Sequence, residues 1–408
     1  MFQKIGSLCM ILTIFATSVA AAGPLSFEEA LNLVFEKHPL LQNFAERERA
    51  VAFQAAQAAR LENPELIFSL EDVFGSGEFG GTRSSETTLE LAQTLPLFGK
   101  RQRRREAVLA NREILRAALE EARLKLFRET ARAFAEALYA QHKVKLFEEL
   151  VGLSRKLLEV AEAKFSAGKV PETEKIRAEI VVSETEVRLK NAREELQGAL
   201  DRLARLWKGT APAAVSGNLF RVETLPAWFA PERHPRLRRF QAEIKRLEKE
   251  VALSRAEALP DITVSAGVRW YNESDEQAYL FGLSLPLPLW NRNQDQVAAL
   301  RREITAVRLD LRAEEIALKR EFTRIENALT RVLHEISTLE NELLPRAREI
   351  YRRNLEAYRF GKMEFLRVLD AQRTLFELRL SRLEAYRRYH ELRAEVLYLL
   401  ARPPKNFL

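Results

Sequence analysis

The residues best suited to chemistry are sparse, and their spacing argues against a reaction centre. The five histidines, His38, His142, His234, His334 and His390, form no His-x-x-x-His pair and no His/Cys cluster of the kind that holds zinc. Met363 is the only methionine beyond the first ten residues, too few for thioether capture of soft metal ions. The single cysteine, Cys9, lies in an apolar N-terminal stretch, so thiol and disulfide chemistry is not expected of the mature chain. Glutamates recur at charge-pair spacings along helical segments, with no enclosed site for acid–base work. Neither a nucleophile elbow nor a phosphate-cradling glycine loop occurs. No catalytic residue, cofactor site or metal site is therefore expected, and the chain does not read as an enzyme. Two charged groups stand out. Lys100, Arg101, Arg103, Arg104 and Arg105 place five bases in six residues, read by default as a solvated helix start, with placement near anionic lipid headgroups as the alternative if the neighbouring strands enter a membrane. Asp370 lies three residues after Arg367 and three before Arg373, a spacing that on a solvated helix gives ion pairs of about 0.2–0.5 kcal/mol.

Those residues must be carried by an unusual scaffold, because the chain repeats itself about 195 residues apart. His38-Pro39 answers His234-Pro235, Leu95-Pro96-Leu97-Phe98 answers Leu287-Pro288-Leu289-Trp290, and Phe165-Ser166-Ala167-Gly168 answers Phe360-Gly361. Each half predicts a helix, two alternating segments, a helical run of roughly 65 residues, a tight reversal and a returning helix. Ser26 with Glu29 forms a capping box at the first helix. Strands are expected at about 65–74 and 84–95, then at about 262–271 and 278–287. Ile262, Val264, Ala266, Val268 and Trp270 share one face of the third; Tyr279, Phe281, Leu283, Leu285 and Leu287 share one face of the fourth. Trp270, Tyr271 and Tyr279 near the turn suggest an interfacial aromatic girdle. Strands of 9 to 11 residues match a tilted membrane crossing. Four strands cannot close a barrel and an open edge is not tolerated in hydrocarbon, so the chain looks like a fraction of one.

The long helices are expected at about 100–164 and 292–358, each roughly 100 Å at 1.5 Å per residue. In the second, Leu311, Leu318, Ile325, Val332 and Leu339 recur every seven residues, with Phe322, Leu329, Ile336 and Leu343 as the companion row, the seam of a coiled coil. Phe127, Ala131, Phe134 and Leu138 show the same spacing in the first. Pro345 predicts a kink or local unwinding. Returning helices are expected over 172–207 and 364–401. The organisation is then a leader over 1–22, a first repeat over 23–207, a Gly/Pro/Ala-rich connector over 208–235, a second repeat over 236–401 and a tail over 402–408. Phe220, Trp228 and Phe229 argue that the connector packs at mid-height. The leader directs the chain out of the cytoplasm, with Ser18-Val19-Ala20 and Ala20-Ala21-Ala22 as cleavage options. The charge balance of +7, with Lys and Arg interleaved among Glu, and a basic run without aromatics give no nucleic-acid signal.

This arrangement resembles the TolC-like outer-membrane efflux proteins over essentially the whole mature chain. Gln93-Thr94-Leu95-Pro96-Leu97-Phe98-Gly99-Lys100-Arg101 looks most like the heavy-metal branch. The resemblance implies a mainly α fold with four strands per chain, closing as a homotrimeric twelve-stranded barrel in outer-membrane lipid above a periplasmic helical tunnel. It implies an exit duct in a tripartite efflux system, served by a periplasmic adaptor (membrane fusion protein) and an inner-membrane resistance-nodulation-division pump. Gly168, Lys169, Arg359, Gly361 and Lys362 would form the adaptor-docking tips. Arg367 and Asp370 would sit at the pore gate, where relatives carry acidic residues; Arg367 departs from that pattern and suggests a mixed ring or Arg–Asp pairing between protomers. Val264, Val268, Trp270, Tyr279, Phe281 and Leu283 would face lipid. Drug efflux and type I secretion are alternatives within the same architecture; a soluble periplasmic coiled-coil adaptor is the alternative outside it.

Overall fold

The computed structural model describes residues 23–223, 229–404 and 407–408, so the expected leader and Trp228 lie outside the described residues. Chain order begins with β1 (Leu25–Ser26), α1 (Phe27–Lys37) and α2 (Pro39–Ala58), followed by β2 (Glu65–Glu71) and β3 (Glu86–Leu95). Next come α3 (Lys100–Leu109), α4 (Asn111–Ser166), α5 (Glu172–Arg205) and β4 (Val215–Ser216). The second half holds α6 (Pro235–Glu257), β5 (Ile262–Tyr271), β6 (Glu276–Ser284), α7 (Gln294–Thr338), α8 (Leu344–Arg359) and α9 (Phe365–Leu399).

The repeated His-Pro pairs are helix caps. His38 Nδ1 accepts from the Leu40 amide at 3.2 Å and His234 Nδ1 from the Arg236 amide at 3.3 Å, while the proline at the first helical position has no N–H to satisfy. The capping box of α1 is formed on both sides, with the Glu29 amide donating to Ser26 Oγ at 3.3 Å and the Ser26 amide to Glu29 Oε2 at 2.8 Å.

β2, β3, β5 and β6 form one antiparallel sheet in that order. The two halves of the chain meet along β3 and β5, paired from Glu86↔Tyr271 to Leu95↔Ile262, with Thr94 Oγ1 and Thr263 Oγ1 2.9 Å apart. β2 stops at Glu71, before the expected 74, where Asp72 and Phe74 take positive φ. β6 spans Glu276–Ser284, so Leu285 and Leu287 lie beyond the strand. A second sheet, not anticipated, pairs β1 with β4 in parallel.

Below the sheet the helices form a layer in which α5 packs on α4, α4 on α9, and α9 on α7 and α8, while α6 covers the upper part of α7. Phe127, Ala131, Phe134 and Leu138 are buried as expected, with Phe27 edge-on to both Phe127 and Phe134. The described part of the connector is packed: Val215 and Leu219 are buried, Phe220 stands edge-on to Tyr386, and Phe229 stacks on Phe322 at 4.7 Å. The first long run is divided at Ala110 into α3 and α4.

The second long run carries a larger departure. Residues Leu339–Leu343 form a π turn ahead of Pro345. Proline cannot donate to the carbonyl four residues back, and widening the turn accommodates it. The extra residue shifts the buried phase: Leu318, Ile325, Val332 and Leu339 are buried as the heptad requires, but the next core position falls to Leu344 and not Leu343. Ala347, Tyr351 and Tyr358 continue the new phase.

Candidate functional site

The sheet has two unlike faces. Directly paired residues share a face, and one face carries Leu66, Phe68 and Leu70 on β2, Leu89 and Leu91 on β3, Val264, Val268 and Trp270 on β5, and Tyr279, Phe281 and Leu283 on β6. It is not covered by the protein's own helices: Phe281 is 86% exposed, Leu283 74%, Tyr279 70%, Leu66 69% and Phe68 66%. Exposed aromatic and aliphatic side chains each forgo roughly 1.5–3 kcal/mol of burial, so a contiguous set marks a surface meant to be covered. The opposite face holds Glu65, Glu71, Glu86, Glu90 and Glu276, with Arg269 the one base. Arg269 reaches Glu86 at 2.7 Å, Glu71 at 3.3 Å and Thr88 Oγ1 at 3.0 Å. Tyr271, grouped with Trp270 and Tyr279 in the expected girdle, falls on this polar face beside Glu86 and Glu276, because adjacent strand residues point to opposite sides. β2 and β6 are open edges.

At the base of the sheet the basic run is only in part the solvated helix start expected. Lys100 is 3% exposed and pairs with Asp261 at 2.7 Å while donating to the Leu259 carbonyl at 2.6 Å. Asp261 also accepts from the Leu97 amide at 3.0 Å. Arg101 Nε donates to the Ala59 carbonyl at 2.7 Å, and Arg104 reaches Glu62 and Glu257. The run thus fastens the end of β3 to the ends of α2 and α6, where strands give way to helices. Arg101, Arg103 and Arg105 remain exposed. Sequence spacing could not reveal the Lys100 partner, which comes from the other half of the chain.

At the far end both reversals have the same construction. Gly168 has φ +66° and Gly361 φ +74°, with open space where a Cβ would lie, so backbone conformation alone calls for glycine. The Lys169 amide donates to the Lys164 carbonyl at 2.9 Å and the Lys362 amide to the Ala357 carbonyl at 2.8 Å, the six-to-one bond of a Schellman cap. Lys169, Arg359 and Lys362 are exposed there, together with Phe360. The tips are tied to each other: the Lys164 ammonium donates to the Tyr358 carbonyl and sits 3.7 Å from its ring centre, while the Tyr358 hydroxyl donates to Glu174 at 3.2 Å. Burial, with the Glu174 carboxylate beside it, pushes the Tyr358 phenol well above its ordinary range. Burial lowers the Lys164 ammonium, with Glu174 opposing and Lys169 adding to the shift.

On α9, Asp370 and Arg367 are both exposed. Neither forms an ion pair within the protomer among the described residues, and Arg373 pairs with Glu377 at 3.4 Å instead of Asp370. The i,i+3 pairs that the spacing allowed are absent, leaving Asp370 free at the edge of a cleft between α5 and α9. Among the described residues no group of three His, Cys, Asp or Glu could hold a metal ion, and no helix is long and apolar enough to cross a membrane.

Comparison with known proteins agrees with this geometry. The family profile described as "Outer membrane efflux protein" matches residues 30–209 and 230–401. The cobalt-zinc-cadmium resistance protein CzcC of Cupriavidus metallidurans is 29% identical over 371 residues, covering 88% of this chain and 86% of that protein. The nickel-cobalt-cadmium resistance protein NccC of Alcaligenes xylosoxydans xylosoxydans is 29% identical over 296 residues, covering 71% and 68%. Crystal structures of CusC share the fold at TM-score 0.75 and 17% identity, with 92% of this chain and 91% of that chain covered. The open state of the Neisseria gonorrhoeae MtrE outer membrane channel does so at TM-score 0.74 and 19% identity, covering 94% and 90%. With both halves of the chain matched, and a sheet and helical hairpins like those of solved outer-membrane channels, the protein belongs to the outer membrane efflux protein family.

Proposed function

We propose that three copies of this chain close a twelve-stranded barrel in outer-membrane lipid and form a passive exit duct for metal cations delivered by an inner-membrane pump through a periplasmic adaptor. The observation that carries this reading is the four-stranded sheet with one exposed apolar face and two open edges. Each edge carries backbone groups that hydrocarbon leaves unsatisfied, and pairing β6 of one copy with β2 of the next satisfies them along the paired length. Four strands in each of three copies make a barrel of ordinary size. Val264, Val268, Trp270, Tyr279, Phe281 and Leu283 then meet lipid, and the glutamate-bearing face lines the lumen. An acidic lumen favours cations, in keeping with relatives named for resistance to cobalt, zinc, cadmium and nickel.

In the same reading Gly168, Lys169, Arg359, Gly361 and Lys362 form the adaptor-docking tips, supported by their matched caps and exposed bases. Arg367 and Asp370 form a mixed-charge gate. With no partner inside the protomer, each is available to its counterpart on the next copy, where triplication would otherwise repel like charges. In this reading a resistance-nodulation-division pump drives flux, in keeping with the family to which the chain belongs. Reconstitution into planar bilayers tests the proposal: it requires a trimer with discrete, cation-preferring conductance, and restored tolerance to zinc or cobalt in a strain lacking the duct. A protein that stays dispersed and monomeric without detergent and gives no conductance would overturn it.

A further inference from the structure

The cleft between α5 and α9, floored by α4, encloses about 380 Å³, within the range of sites for small organic molecules. Its floor is apolar: Leu146, Phe147 and Leu150 from α4 and Phe376 from α9 are all buried. Its rim is charged, and most of that charge is internally matched. Arg188 pairs with Glu184, and Arg373 with Glu377. Asp370 is the one rim charge with no ion partner among the described residues, so the rim carries a net charge of about −1. Gln372 also lines the cleft; it is buried, its Nε2 donates to Ser154 Oγ at 3.3 Å, and its Oε1 has no hydrogen-bond partner.

From this geometry we propose that the cleft binds a monovalent lipophilic cation, its rings on the Phe147–Phe376 floor and its positive centre beside Asp370. An anion of the same shape would meet the unmatched carboxylate, and a neutral body would gain nothing from it. A small hydrated metal ion would leave the apolar floor unfilled. Asp370 can serve one partner at a time, so a bound cation takes the place that Arg367 of the next copy holds in the gate described above. The further consequence of binding, that an occupied cleft neutralises Asp370 and alters conduction, rests on the channel reading above.

Tetraphenylarsonium is a suitable probe, because its arsenic can be located by anomalous scattering and tetraphenylborate offers the same shape with opposite charge. The full protein in amphipol is titrated calorimetrically with each ion, and crystals are soaked with the arsonium. The expected result is an arsenic peak inside the cleft and measurable heat for the cation alone. Asp370→Asn should weaken binding about tenfold. Val181→Phe, which fills the cleft mouth, should abolish binding while helical circular dichroism and melting stay unchanged. An arsenic peak only on the pore axis or on the apolar sheet face, equal affinity for the borate, unaltered affinity in Val181→Phe, or a crystal peak without heat in solution would each overturn the assignment. A protein that binds in the cleft but shows no conductance would refute the channel and leave the binding site standing.

Discussion

Truncating Leu344 and Leu343 separately tests whether the π turn moves the core by one residue. A strict heptad makes Leu343 the buried leucine of its row, whereas the structure leaves Leu343 39% exposed and Leu344 3% exposed. Leu344 packs in the cluster that holds Ala347, Tyr351, Tyr358, Phe365 and Val368. Leu344→Ala removes fully buried methyl groups and leaves a cavity, a loss of about 2–5 kcal/mol. Leu343→Ala removes groups already in contact with solvent and should change stability by about 0.5 kcal/mol. Native-state hydrogen exchange across α8, read by mass spectrometry on the assembled protein, measures this locally. Protection of the α8 amides should fall by a factor of about 30 or more for Leu344→Ala and by about threefold or less for Leu343→Ala. Equal losses, or a larger loss at Leu343, would refute the phase shift and with it the account of Pro345.

At the strand–helix junction, Asp261→Asn leaves the buried Lys100 ammonium without its counter-charge and should cost about 2 kcal/mol, while the Lys100→Met/Asp261→Asn double variant recovers much of it, as a thermal double-mutant cycle would reveal. Gly361→Ala forces a Cβ into left-handed backbone and should destabilise the tip by about 1–2 kcal/mol, seen as faster exchange at the adjoining helix ends. Burial lowers His390 from 6.5 to about 4, so the unfolded chain binds its proton first: the stabilisation is complete above pH 6.5 and is lost as pH falls towards 4. His390→Gln should flatten the melting-temperature slope in that window relative to the parent, and an unchanged slope would count against a neutral buried imidazole. Glu86→Gln with Glu90→Gln should reduce cation preference measured as reversal potential in a salt gradient, and no change would remove the sheet's polar face from ion selection.

The sequence made the architecture legible where periodicity was strong and local. Alternation placed Val264, Phe281 and Leu283 on one face, and the glycines at 168 and 361 marked both reversals through a single local requirement, positive φ. What it hid depended on distance or on ambiguity. Lys100 looked solvated among four arginines because its partner Asp261 is supplied by the other half of the chain. Leu343 and Leu344 are adjacent leucines, and only the hydrogen-bonding of the turn before Pro345 decides which one is buried. The His-Pro repeat was conspicuous as a marker, yet its role as a cap needs the Nδ1 geometry. Asp370 was a candidate from resemblance; the absence of pairing to Arg367 or Arg373 emerges only when rotamers and the Glu377 alternative are seen.

A lipid-embedded barrel requires that the apolar side of the sheet meet hydrocarbon. Spin labels attached to single cysteines at 281 and 283, with controls at 278 and 284 on the opposite face, can be read in liposomes by collision with oxygen and with a water-soluble nickel chelate. Labels at 281 and 283 should be accessible to oxygen and shielded from the chelate, and those at 278 and 284 should show the reverse. Chelate-accessible labels at 281 and 283, or labels immobilised against the protein's own helices, would contradict a lipid-embedded barrel.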